Sequence, residues 1–273
     1  MTGTPKSRSI RQKYGEELRI RRVAAGLTQE AVSEAVVCSP TLISHWEAGR
    51  RLPTPDDAQR LDRALGSDGF FARWLKDLGS KYASHFAPVA EFEQQAKEIR
   101  HYGASLIPGL LQTAAYAKEV LSAHASLDPT TPVDEHVANR LARAPIIENP
   151  SDTVFWVLLD EAALRRQIGG PQTMAEQLHK IANLAEALRI RLHVLPFGVG
   201  AHALLAGMLY LMSFDDAPPI AYVEGVGTGH VFDDPIMVKH CHLAYDLALG
   251  DALSAKESLA LVRAVAKEYE REQ

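Results

Sequence analysis

The sequence predicts an α+β protein in which an all-α N-terminal domain precedes a domain with a small mixed β-sheet covered by helices. The chain has 273 residues, enough for two domains of roughly 150 residues each. Helical periodicity fills residues 1–81, whereas continuous apolar runs typical of strands occur only in 82–273. Charge divides at the same boundary, with 14 lysines and arginines against 10 acids before it and 15 against 24 after it. This asymmetry is typical of a protein with one nucleic-acid-binding module, although a solvated helix face gives the same balance.

The composition argues against several classes of protein. No apolar run approaches the roughly 20 residues that cross a bilayer, and the start of the chain is charged, so we expect a cytoplasmic protein with no membrane partner. Cys38 and Cys241 are the only cysteines, too few for a disulfide framework or a four-thiolate zinc site. We therefore expect neither a cofactor nor a structural metal.

The N-terminal domain is predicted to contain five helices with clear start and stop signals. Gly26 ends the first helix because glycine tolerates the left-handed conformation. Thr28 caps the second helix, and Ser39 followed by Pro40 caps the third, which ends at Gly49. About three residues separate the second and third helices, which is the spacing of a helix-turn-helix. The segments DDAQRLDRALG and FFARWLKDL are predicted to form the fourth and fifth helices.

About 50 residues of this domain resemble the XRE family of helix-turn-helix DNA-binding domains. The most specific matches are GLTQE at 26–30 and ISHWEAGRR at 43–51. Val37 departs from the family pattern by occupying the place of the usual turn glycine, and a β-branched residue resists a positive φ. The resemblance implies that the third helix lies in the major groove and that the start of the second helix meets the phosphate backbone.

The same resemblance implies roles for residues around the third helix. Thr41 and His45 are placed for base contact, and Pro40 and Leu42 for contact with thymine methyl groups. A solvent-facing polar side chain is the alternative for His45. The residues placed for phosphate contact are Gln29, Ser39, Ser44, Arg50 and Arg51.

Beyond residue 82, predicted helices and strands alternate. EFEQQAKEIRHYGASLIPGLLQTAAYAKEVLSAHA is predicted to form two helices separated at residues 107–109, and PVDEHVANRLARAPII a third. TVFWVLLD and IRLHVLPF are predicted strands on either side of the helical EAALRRQI and MAEQLHKIANLAEALR, which makes a βαβ unit. LLAGMLYLMSF and PIAYVEG give two more strands, residues 225–229 a loop, and 236–249 and 254–270 two terminal helices.

Several segments of this domain resemble the C-terminal domain of actinobacterial WhiJ-like regulators. They are IPGLLQT at 107–113, NRLAR at 139–143, LDEAAL at 159–164, EQL at 176–178, VLPF at 194–197 and GAH at 200–202. The resemblance implies a transcription regulator, often encoded beside a small partner protein in an antitoxin-like arrangement. Apolar segments bearing Gly and Pro predict a partner or ligand site within 106–116 or 197–205, and core packing of IPGLLQT is the alternative. The candidate residues for this site are Pro108, Leu111, Gln112, Tyr116, Phe197 and His202.

An enzyme is the alternative from another class of protein. Asp160 and Glu161 lie at the end of a predicted strand. His193 and His202 lie on either side of the loop that contains Pro196 and Phe197, so a carboxylate and a histidine could meet there. No nucleophile or phosphate-binding motif accompanies them, and Asp160 is expected to cap the following helix. His240 and His242 point in different directions on a helix, so no metal site is expected there.

The sequence therefore predicts a sequence-specific DNA-binding transcription regulator that acts as a homodimer and is not an enzyme. One helix-turn-helix contacts few bases. We therefore expect two helix-turn-helix domains to bind two DNA half-sites about one helical turn apart. The self-complementary surface is expected on the second domain, in amphipathic helices such as 174–189 and 254–270. The alternatives are an antitoxin-like interaction module whose DNA binding is only autoregulatory, and a DNA-tethered enzyme.

Overall fold

The computed structural model describes residues 10–76, 87–125, 132–148, 153–226 and 228–272. The chain divides into two compact units, the first made of residues 1–95 with 215–218 and the second of residues 96–214 with 219–273. The predicted domain boundary between residues 81 and 82 lies outside the described ranges. In those ranges, no helix combines the length and the apolar character that crossing a membrane requires.

The first unit is helical in the residues that the structure describes, and three of its helices begin at a side-chain cap. Thr28, Ser39 and Thr54 each accept a hydrogen bond from a backbone N–H in the first turn of the helix that follows. The buried core is formed by apolar side chains such as Tyr14, Trp46 and Leu61. The helices are α1 (Ile10–Ala24), α2 (Gln29–Val36), α3 (Pro40–Glu47), α4 (Pro55–Leu65), α5 (Phe70–Lys76) and α6 (Ala87–Glu93).

The second unit contains a mixed sheet, six-stranded in the part of the chain that is described. The strands are β1 (Glu98–Gly103), β2 (Val154–Asp160), β3 (Arg191–Leu195), β4 (Leu209–Ser213), β5 (Ile220–Gly225) and β6 (Thr228–Phe232). Their order in the sheet is β3-β2-β1-β4-β5-β6; β1, β2 and β3 are parallel, and β4, β5 and β6 extend the sheet in antiparallel fashion. The βαβ unit predicted around residues 154–195 is confirmed.

Helices cover this sheet, which confirms the predicted α+β fold class. Helix α11 packs along α13, and α13 packs on β3. Helix α12 buries Val238 and Tyr245 in an apolar cluster with sheet residues that include Tyr102 and Leu158. The helices are α7 (Ala114–Ala125), α8 (Val133–Leu141), α9 (Pro145–Glu148), α10 (Glu161–Arg165), α11 (Gly170–Glu186), α12 (Pro235–Gly250) and α13 (Ala255–Arg271).

The structure corrects two predictions from the sequence. The helix predicted across EFEQQAKEIRHYGASL is wrong at residues 98–103, which form the central strand β1. These residues form a strand because they hydrogen-bond to β2 on one side and to β4 on the other. The spacing of apolar residues within a segment does not show whether such distant partners exist. The loop predicted at 225–229 is wrong at both ends, because Gly225 ends β5 and pairs with Thr228, and Gly229 of β6 pairs with Glu224.

Candidate nucleic-acid interface

Helices α2 and α3 are joined by a tight turn in which Val37 adopts the left-handed conformation, with φ 61° and ψ 55°. The N–H of Val37 bonds to the carbonyl of Glu34 at 3.2 Å, and the N–H of Cys38 bonds to that of Ser33 at 2.9 Å. These two bonds form a Schellman motif, a helix ending that usually has glycine at the position of Val37. Valine in place of the usual glycine therefore leaves the turn intact. The strain is confined to the left-handed backbone conformation of Val37, which is 79% exposed.

This strain gives a first prediction. We expect Val37→Gly to raise the free energy of unfolding by about 1 kcal/mol, because the left-handed conformation costs a side chain with a Cβ roughly 1–2 kcal/mol and glycine very little. Ile20→Gly is the control, since Ile20 is also exposed but lies inside α1, where glycine is expected to lower stability by about 0.5 kcal/mol. Urea unfolding of the full chain, followed by Trp46 and Trp74 fluorescence in a Trp156→Phe background, measures both. Equal losses in the two variants would contradict the prediction.

An ion pair ties the helix-turn-helix together. The guanidinium of Arg22 on α1 contacts both carboxylate oxygens of Glu47 on α3, with Nη2 and Oε2 at 3.0 Å. Arg22 also donates to the carbonyl of Leu27 at 2.8 Å, and Gln29 Nε2 donates to Glu47 at 2.8 Å. Gln29, which the sequence places at a phosphate, therefore has its amide directed towards α3 in this structure.

The N-terminal end of α3 leaves its predicted DNA-contacting residues accessible. Pro40 is exposed, and Thr41, Leu42 and Ser44 are partly exposed. Ser39 is partly exposed as well, with its hydroxyl accepting the N–H of Leu42 at 3.1 Å as the helix cap. This is the end of the helix whose side chains reach base edges when a recognition helix enters the major groove.

The C-terminal end of α3 is covered by other residues of the same unit. His45 is 1% exposed, and its ring contacts the ring of Phe92 edge-on, with 5.2 Å between the ring centroids. The Nε2–H of His45 donates to the carbonyl oxygen of Pro218 at 3.2 Å. Arg50 is 4% exposed and forms an ion pair with Asp216. Two predicted DNA contacts, His45 and Arg50, thus lie beneath Phe92 and residues 215–218, whereas Arg51 is partly exposed.

Burial changes the charge of this covered region. Desolvation, together with the nearby Arg50 guanidinium, lowers the pKa of His45 to about 4, so the imidazole is neutral at pH 7. Burial also raises the pKa of Glu91 to about 7 against the opposing effect of Arg11, with which Glu91 forms an ion pair at 2.8 Å. A neutral imidazole donates through one ring nitrogen only, and in this structure that donor is taken by Pro218.

Most residues predicted for a partner or ligand site hold the second unit together. Pro108, Leu111, Gln112 and Tyr116 are buried. The side chains of Gln112 and Tyr116 bond the backbone of Ile107, at 2.7 Å and 3.1 Å.

The two remaining candidates for this site differ in exposure. The side chain of His202 is 2% exposed and lies 3.3 Å from Asp160, which caps α10 through the N–H of Ala162. Phe197, 57% exposed, is accessible to a partner.

Two segments of the WhiJ-like pattern meet in the fold through Arg140 and Arg143, to which the sequence assigned no role. Arg140 Nη1 donates to Gln112 Oε1 at 2.8 Å, which joins NRLAR to IPGLLQT. A Cβ on Gly109 would lie 2.9 Å from Nη2 of Arg143, so this glycine leaves room for the guanidinium. Burial, followed by the charge of Arg143, lowers the pKa of Arg140 to about 10. The i, i+3 spacing of the two arginines was the available signal, because it puts both on one face of the helix predicted over PVDEHVANRLARAPII; in the structure α8 ends at Leu141 and Arg143 lies in the turn that follows.

The capped helices, the left-handed turn and the accessible start of α3 define the first unit as a helix-turn-helix DNA-binding domain. Residues 13–69 match the helix-turn-helix domain model, which confirms the predicted XRE-type domain. Residues 86–264 match the domain of unknown function DUF5753, so the chain belongs to the DUF5753 family. No curated protein and no solved structure gives a match.

Proposed function

We propose that the protein is a sequence-specific transcription regulator of the WhiJ-like type that binds double-stranded DNA in the cytoplasm. The accessible N-terminal end of α3, presented by the capped helix-turn-helix, is the observation that carries this proposal. The excess of basic residues in 1–81 supports it, because cationic side chains supply the sequence-independent part of DNA affinity.

For the DUF5753 domain, we propose binding of a partner or signal, support of dimerisation, and no catalysis. The carboxylate of Asp160 supports the last point, because one oxygen accepts the N–H of Ala162 as the cap of α10 and the other lies 3.3 Å from Nε2 of His202, so both oxygens have partners within the fold. The resemblance to WhiJ-like regulators supports a small partner protein and an antitoxin-like arrangement. Phe197 is the predicted contact residue that such a partner can reach.

A selection from random double-stranded DNA, followed by competition binding with variants, tests the DNA-binding role. We expect Thr41→Ala to relax the preference at one base position, because a good base contact supplies about 1–3 kcal/mol of discrimination. We expect Arg51→Ala to weaken binding to all sequences alike and to lower the slope of log affinity against log salt by about 0.9.

Lys256→Ala is the matched control, since it removes an exposed cation from α13 and is expected to change neither base preference nor salt slope. Failure to enrich any sequence would overturn the proposed function. Identical effects of Thr41→Ala and Arg51→Ala on overall affinity would show that the assigned roles are wrong.

A further inference from the structure

Helix α12 is apolar on two opposite faces, and the residues that the structure describes cover only one of them. Val238, Tyr245 and Ala248 are buried against the sheet. On the other face, Ile236 is 79% exposed, and Leu243 and Leu247 are 56% and 57% exposed. A helix that is apolar all round is normally buried all round. The outer face of α12 therefore has the character of a surface that a partner covers.

The spacing of this outer face is the same in both directions along the helix. Ile236, His240, Leu243 and Leu247 are exposed at successive intervals of four, three and four residues, the spacing of a helix-pairing seam. Reversing the helix leaves these intervals unchanged. Two antiparallel copies related by a two-fold axis would thus place Ile236 of each copy opposite Leu247 of the other, and His240 opposite Leu243.

Charges beside the seam complement one another in the same arrangement. Lys239 and Asp246 are exposed, lie seven residues apart and follow one side of the seam. In an antiparallel pair these same-side positions face each other across the interface, so Lys239 of each copy meets Asp246 of the other, twice by symmetry. Asp246 already accepts a bond from Arg100 through Oδ1, at 2.8 Å. Opposite charges in this position favour the antiparallel register over the alternatives.

We propose that a second copy of this chain covers the outer face of α12, with the two α12 helices antiparallel about a two-fold axis. The proposal deepens the dimerisation named under the proposed function and moves it to a different surface. The sequence predicted the dimer contact in residues 174–189 and 254–270, most of which lie in α11 and α13, and these two helices pack against each other within one unit. An isologous contact needs one self-complementary patch, which the α12 seam supplies.

Sedimentation of the full chain without DNA tests this surface. We expect a dimer at micromolar concentration, and we expect Leu243→Glu to weaken self-association at least ~100-fold, because a carboxylate is buried twice per dimer. Val226→Glu is the matched control, since Val226 is 86% exposed and lies outside α12, and it should remain dimeric. A monomeric full chain, or a Leu243→Glu variant as dimeric as the parent, would overturn the proposal.

Two further variants test the register and do not depend on a buried carboxylate. Lys239→Glu is expected to weaken the dimer, and the double variant K239E/D246K to restore it. In a C38S/C241S background, I236C/L247C is expected to form intermolecular disulfides on oxidation. Within one chain these positions lie about 16 Å apart on the helix, too far for a disulfide. Absence of both the charge rescue and the cross-link would overturn the antiparallel arrangement.

The outcomes also separate this inference from the proposed function. A monomer that still selects a DNA sequence would overturn the α12 pairing and leave DNA binding in place. A dimer that selects no DNA would support the pairing and overturn the regulator.

Discussion

Replacement of Glu47 by alanine is expected to destabilise the helix-turn-helix by about 3 kcal/mol, because removing one partner of a buried ion pair leaves the other charge uncompensated. The side chains of Arg22 and Glu47 are only 12% and 5% exposed. Glu47 also accepts the amide of Gln29, so its loss releases contacts from both α1 and α2. Hydrogen exchange of the amides of α2 and α3 in the full chain measures the change as a lower opening free energy.

Two variants control for other effects of this change. Glu47→Gln keeps the size and one acceptor oxygen and loses the charge, so its loss of stability should lie between those of Glu47→Ala and the parent. Glu17→Ala breaks the Arg21–Glu17 pair, whose side chains are 35% and 31% exposed, and such surface pairs contribute about 0–1 kcal/mol. If Glu17→Ala accelerated hydrogen exchange as much as Glu47→Ala, the Arg22–Glu47 ion pair would not be what stabilises the helix-turn-helix.

Asp216→Ala is expected to strengthen DNA binding about tenfold, which corresponds to about 1.4 kcal/mol. Asp216 forms the ion pair with Arg50, and the neighbouring Pro218 takes the donor of His45. DNA that contacts these two side chains must first displace residues 215–218. The apparent affinity is therefore the affinity of the uncovered protein multiplied by the fraction of molecules in which residues 215–218 are displaced. Loss of the ion pair raises that fraction.

Fluorescence anisotropy with the selected DNA, at one fixed salt concentration, measures this gain. Asp251→Ala is the control: it removes an equal charge from an exposed residue after α12, so it reports the general effect of charge on DNA affinity. An affinity for Asp216→Ala no higher than that of Asp251→Ala would show that DNA binding does not require displacement of residues 215–218.

Features with a local signal were predictable from the sequence. Thr28, Ser39 and Asp160 cap helices by bonding N–H groups two or three residues away, so their roles can be recognised without knowing the fold. The strand β1 has no such signal. Glu98 and Arg100 are charged residues of a central strand, and only its pairing with β2 and β4 shows that it belongs there.

In the candidate site, too, local features were predictable from the sequence and distant contacts were not. The start of α3 and its cap follow from Ser39 and Pro40, which are adjacent in sequence. The burial of His45 depends on Phe92 and Pro218, which are 47 and 173 residues away. No periodicity within α3 could indicate such distant contacts.

The order of strands in the sheet has a consequence for synthesis on the ribosome. The described core of the helix-turn-helix lies between Tyr14 and Phe71, so all of its apolar partners emerge early. The central strand β1 lies between β2 and β4, and β6 closes the sheet at Phe232. At translation rates of about 5–20 residues per second, the last strand follows the first core by roughly ten seconds or more. During that interval the nascent chain contains a complete helix-turn-helix, while the sheet of the second unit still lacks its last strands.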